Sequence, residues 1–158
     1  MLQLRGRAAL SEFRRRKLLA ALRRRVPGIT GVAAEHAYFV DLEAPLDPEQ
    51  RRRLAVLLDA REEPPRAPGA GRLFIRLPRF GTISAWSSKA TDIAGICGLN
   101  AVRRIERGTV YGVTGPAGGL DADQTAAVAA GLHDRMTETV VLGLDEAQQR
   151  RRVEAPQH

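Results

Sequence analysis

The chain predicts an α+β fold of two related halves, each running strand, helix, strand, helix, that together form antiparallel sheet backed by helices. Three observations carry this expectation. Leu46-Asp47-Pro48-Glu49-Gln50 and Leu120-Asp121-Ala122-Asp123-Gln124 each follow an extended stretch and open a helix. Their separation, 120 − 46 = 74, is close to half of the 158 residues. Between the halves, residues 61–71 carry Pro64, Pro65, Pro68, Gly69 and Gly71, the composition of a linker.

Leu2 to Leu4 reads as a first strand, followed by a helix from about Ser11 to Arg25. Its Leu18, Leu19 and Leu22 form an apolar side, and Arg14 to Lys17 with Arg23 to Arg25 form the solvent face. Ile29 to Leu42 is extended. A helix then runs from Asp47 to Asp59, with Asp47 as the N-cap and Pro48 at the favoured first helical position. In the second half, Leu73 to Leu77 is a strand rich in β-formers, and Pro78 with Gly81 ends it in a turn. A helix from about Ser88 to Cys97, extended chain over Val102 to Val113 and a helix from Asp121 to Met136 complete that half. Val140 to Leu144 can add a short last strand, and residues 145–158 read as a polar exit linker. The expected organisation is one duplicated domain over residues 1–144, with halves at about 1–60 and 72–144.

Composition narrows the function. The chain is 44% hydrophobic, enough for one real core at this length. Its sole cysteine excludes an internal disulfide framework and suits a reducing compartment. No apolar stretch approaches signal-peptide or membrane-span length, so a cytoplasmic protein that contacts no membrane is expected. The net charge of +7 invites a nucleic-acid reading, but the arginine clusters fall on helix faces and aromatics make up only 4%, too few for a stacking platform. A solvated basic surface or a docking face for an acidic partner fits better, which leaves a basic nucleic-acid-binding or stand-alone interaction module as the alternative reading. His36 and His133 have no second ligand at metal spacing, and Glu62-Glu63 fall in the linker. Cys97 sits in an apolar run with Ile93, Ala94, Ile96 and Leu99, where an inert core thiol is expected. Neither a nucleophile paired with a base nor a glycine-rich phosphate loop can be read from the sequence, so the chain offers no catalytic, cofactor-binding or metal-binding residue.

The most informative segment is Pro78 to Ala94, PRFGTISAWSSKATDIA. It places polar, small and aromatic residues where a plain core element needs apolar ones. Ser84, Ser87 and Ser88 precede Lys89-Ala90-Thr91-Asp92, and Ser87 reads as the N-cap of a helix starting at about Ser88. Lys89 then falls in a first turn, where the macrodipole disfavours a cation. Two accounts stand: a surface pair with Asp92, or an anion or partner carboxylate held by Lys89, Arg79 and the free N–H groups of the turn. Trp86 fits either core or partner contact. Arg79, Thr82, Ser84, Trp86, Ser87, Ser88, Lys89, Thr91 and Asp92 together form the candidate docking face, close in expectation to substrate.

Pro78 to Leu99, RIERG at Arg104 to Gly108 and LHDRMTE at Leu132 to Glu138 closely resemble the N-terminal domain of the large, single-chain phosphoribosylformylglycinamidine synthase. The opening Leu4 to Arg14 and the run Asp41 to Gln50 are similar to the same family, so the likeness covers nearly the whole chain. Gly81 to Ile93 is its most specific motif. The family's usual form has Pro at Ala85 and Asn at Ile96, departures that touch turn stiffness and one polar contact.

The resemblance implies a non-catalytic domain in an ATP- and glutamine-dependent enzyme that converts formylglycinamide ribonucleotide to its amidine. The expected partners are the synthetase and glutaminase domains of the same enzyme, with ATP and Mg held in the synthetase domain and none here. The resemblance also implies a domain like a fused dimer of the small, bridging subunit of multi-component forms, in agreement with the duplication.

Overall fold

A computed structural model describes residues 1–69, 71–79, 83–134, 136–144 and 146–147. The chain runs β1 (Leu2–Ala8), α1 (Glu12–Arg25), β2 (Gly31–Leu42), α2 (Pro48–Leu58), β3 (Arg72–Pro78), α3 (Ala85–Ile96), β4 (Val102–Thr114), α4 (Ala122–Leu132) and β5 (Glu138–Val141). All strand pairs are antiparallel, and the sheet order is β1-β2-β4-β3-β5. The fold is α+β, and the strand-helix-strand-helix order occurs twice.

Local chemistry sets the helix starts. Asp47 and Asp121 each form a reciprocal capping box, the aspartate accepting from the backbone N–H of Gln50 or Gln124 at 2.8 Å while that glutamine accepts from the aspartate's own N–H at 3.0 Å. Ser11 caps α1 through a bond from Arg14 N. The first strand continues to Ala8, well past Leu4. It bulges between Arg5 and Ala8, where Gly6 lies so close to β2 that a Cβ there would meet Tyr38 Cε2 at 2.8 Å.

Alternation along the strands divides the core. Val32, Ala34, Tyr38 and Val40 of β2 face the helices, as do Ile105, Tyr111 and Val113 of β4. At one end of this face α1 and α4 pack through Leu22, Val128 and Leu132; at the other α2 and α3 pack through Leu54 and Ala94. Each helix pair therefore takes one member from each half, the arrangement expected of a pseudo-twofold axis. Near the middle of the β2–β4 ladder Glu35 faces Val110 and His36 faces Thr109. The opposite sheet face buries Ala37, Phe39, Ile75, Leu77 and Val110 against Leu144 and Ala147.

The described residues of the 61–71 segment do not hang free of the sheet. Arg61 and Arg5 exchange two backbone bonds of 2.8 and 2.9 Å, and Pro65 and Pro68 are buried. The arginine clusters at residues 14–17 and 51–53 are largely answered by acids, as is Arg7. Glu12 pairs with Arg15 and Arg16, Glu49 with Arg52 and Arg53, Glu62 with Arg51 and Asp59 with Arg7.

Candidate functional site

The candidate face is organised by the start of α3, which differs from the sequence expectation. Ser84, not Ser87, is the N-cap, its Oγ accepting from Ser87 N at 3.0 Å. The reason lies in β4. The Ser87 hydroxyl, 0% exposed, donates to Ile105 O at 2.5 Å, which a cap serine facing its own helix end cannot do. Thr91 adds a second tie, donating to Ser87 O at 2.7 Å and accepting from Ile105 N at 3.2 Å. Ser87 and Thr91 thus clamp α3 to Ile105 of β4. Their side chains are turned into the fold rather than out of it.

Because α3 begins at Ala85, Lys89 is its fifth residue and lies beyond the first turn, where the macrodipole penalty has fallen away. Lys89, Ser88 and Asp92 are exposed. Lys89 and Asp92 form no ion pair among the described residues, so the surface-pair account of this lysine does not hold. Arg79 is exposed, and its backbone N–H donates to Thr137 O at 2.8 Å. Thr82 lies outside the described residues, as does Gly81 of the motif.

Trp86 combines core and surface roles. It is half-buried in the α2/α3 cluster, stacked on Tyr38 with ring centroids 5.7 Å apart, and the Arg107 guanidinium carbon lies 4.6 Å from its ring centre. Beneath the cap, Glu106 is 1% exposed yet well supplied with donors: Arg104 Nη2 at 3.0 Å, Arg107 N at 3.2 Å and Ser84 Oγ at 3.4 Å. Sequence reasoning assigned no role to Arg104, Glu106, Arg107 or Tyr38. The first three fall in RIERG, so the signal was present as a motif but not as a contact.

Cys97 corrects another expectation. It is exposed at the C-cap of α3, and Ile96 beside it is 85% exposed. Only Ala94 among the helix's apolar residues is fully buried, so the run Ile93, Ile96, Cys97 faces outward. Together with Ile83 at 64% and Ile93 at 39% exposure, these residues give the α3 side an apolar surface around Ser88, Lys89 and Asp92. A cleft of about 450 Å³ borders it, between the Ser88 and Asp92 side of α3 and Asp41 and Arg103 of the strand ends.

No group of three or more His, Cys, Asp or Glu side chains among the described residues is placed to hold a metal ion, and no helix among them is long and apolar enough to cross a membrane. A family model described as formylglycinamide ribonucleotide amidotransferase N-terminal matches residues 35–150, a span that contains the whole candidate face.

Proposed function

Because the chain belongs to the formylglycinamide ribonucleotide amidotransferase N-terminal family, we propose that it acts as a non-catalytic bridge between the synthetase and glutaminase domains of phosphoribosylformylglycinamidine synthase. In this reading ATP, Mg and the glutamine-hydrolysing nucleophile belong to those other domains, and the enzyme works in the cytoplasm. The outer side of α3 is the docking face. One observation carries this: Ile96 is 85% exposed on the same helix side as Ser88, Lys89 and Asp92, one turn on from the exposed Ile93. Contiguous exposed apolar residues rimmed by charge are typical of interaction surfaces. Ser87 and Thr91 serve that face indirectly, by fixing α3 on the sheet.

The test is made in the complete enzyme. Ile96→Glu and Lys89→Ala are expected to reduce glutamine-dependent amidine formation more than ammonia-dependent formation, with the domain still folded. Full glutamine-dependent activity in both variants would overturn the docking assignment.

A further inference from the structure

Between the two helix pairs, at the middle of the β2–β4 ladder, the helix-covered face carries a polar cleft instead of apolar core. The β3–β4 ladder ends at Arg76 and Thr109, and β3 continues only beside β5. The cleft lies where the strands part, is about 200 Å³ in volume, and is lined by His36, Arg76, Ser84, Trp86, Arg107 and Glu138 among others. Pockets for whole organic ligands run to about 300–1,000 Å³, so this one suits a small ion or a single group on a larger molecule.

Its charge is specific. Arg76 is held by Glu138 at 3.1 Å and Thr109 Oγ1 at 3.0 Å. Arg107 is different. It is half-buried, and its guanidinium has no hydrogen bond or ion pair among the described residues, only the Trp86 ring at 4.6 Å. A guanidinium carries five donors in a fork suited to oxyanions, and leaving them unused while partly desolvated is costly. His36 is the second such group. Its Nδ1 is buried and finds no partner among the described residues. His36 and Arg107 are diagonal neighbours on one sheet face, because His36 faces Thr109 and Tyr38 faces Arg107. Burial, followed by the charges of Arg107 and Arg76, pushes the His36 ring below its ordinary value. Among the described residues that line the cleft, two arginines and one histidine thus face a single carboxylate.

We propose that the cleft between Arg107, His36 and the end of β3 binds a phosphate group, free or carried as a monoester. A tetrahedral dianion takes donors from several directions, the Arg107 fork from β4 and the His36 ring from β2, where a flat carboxylate satisfies fewer of them. The site is independent of docking along α3, since none of its donors lies on the outer face of that helix.

Trp86, the chain's single tryptophan, reports binding directly. The 158-residue chain is titrated with inorganic phosphate, glycerol 3-phosphate, glutamate and chloride at constant ionic strength, following Trp86 fluorescence and the His36 ring by NMR. Both phosphates are expected to give saturable changes and to raise the His36 pKa by about one unit, as an anion close to an imidazolium does. Tighter binding of the monoester would identify a phosphorylated metabolite; equal binding would identify the free ion. Arg107→Gln is expected to weaken binding about tenfold or more, and Arg24→Gln, an exposed α1 residue outside the cleft, to leave it unchanged. If Arg107→Gln unfolds the chain, Arg107→Lys keeps the charge without the fork and should still weaken binding. A response shared equally with chloride, tighter binding of glutamate, or no movement of the His36 pKa would overturn the proposal.

Discussion

Trp86 of α3 stacks on Tyr38 of β2, ring centroids 5.7 Å apart and planes inclined by 29°, and this contact joins the second half's helix to the first half's strand. Removing the indole should therefore destabilise the domain as a whole. Trp86→Ala is expected to cost about 2–3 kcal/mol, below the ~3–5 kcal/mol of a fully buried large aromatic because this ring is only half-buried. Trp86→Phe should lose less than half as much. Urea unfolding followed by circular dichroism measures both, and an alanine variant as stable as the parent would show the stack to be incidental.

The two capping boxes offer a test of the duplication in energy rather than shape. Asp47 and Asp121 have the same partners at the same distances. Asp47→Ala and Asp121→Ala should each cost about 1 kcal/mol, and the double variant close to their sum, since the two caps belong to different helix pairs. Thermal unfolding of the three variants checks this. Grossly unequal losses would mean that the helices differ in how much each half depends on them.

These caps were legible in the sequence because a cap is local: an aspartate, a glutamine three residues on, and a proline in one copy suffice. The start of α3 was not. Ile83-Ser84-Ala85-Trp86-Ser87-Ser88 offers three serines of similar propensity, and the choice among them is made by Ile105 O, which takes the Ser87 hydroxyl into the fold. Cys97 was misplaced for a related reason. The composition of α3 is apolar, but only Ala90, Ala94 and part of Trp86 reach the core, so larger residues are left outside. The repeated strand-helix-strand-helix succession could be read from spacing, but the order of the strands in the sheet could not. What spacing could not give is the meeting of Tyr38, Trp86 and Arg107, which lie on three different elements and converge only when the sheet forms.

The Arg5–Glu35 pair ties β1 to β2 with bonds of 2.5 and 2.8 Å, in a setting where both side chains are mostly shielded. The hydrogen bond from Arg5 holds the Glu35 carboxyl below its usual range, against the opposing effect of burial. A carboxyl with a depressed folded-state pKa favours folding fully above its unfolded value of about 4.3, and that contribution is lost as pH falls through the lower folded value. Stability should accordingly drop on acidification below about pH 4, and Glu35→Gln should be less stable than the parent at neutral pH while converging toward it in acid. Denaturant midpoints from pH 7 to pH 2 measure the difference. A gap independent of pH would mean that shape, not charge, makes this contact.

Cys97 gives the final test, because the chain has one thiol and it sits at the exposed end of α3. In the isolated chain a thiol reagent should titrate one group per molecule without denaturant, where a core thiol would need unfolding first. If the outer side of α3 docks against the catalytic domains, the same thiol in the complete enzyme should react far more slowly, and Ile96→Glu should restore the fast reaction by loosening the contact. Equal rates in the isolated chain and the complete enzyme would place the interface elsewhere on the domain, and slow labelling of the isolated chain itself would contradict the exposed position of Cys97.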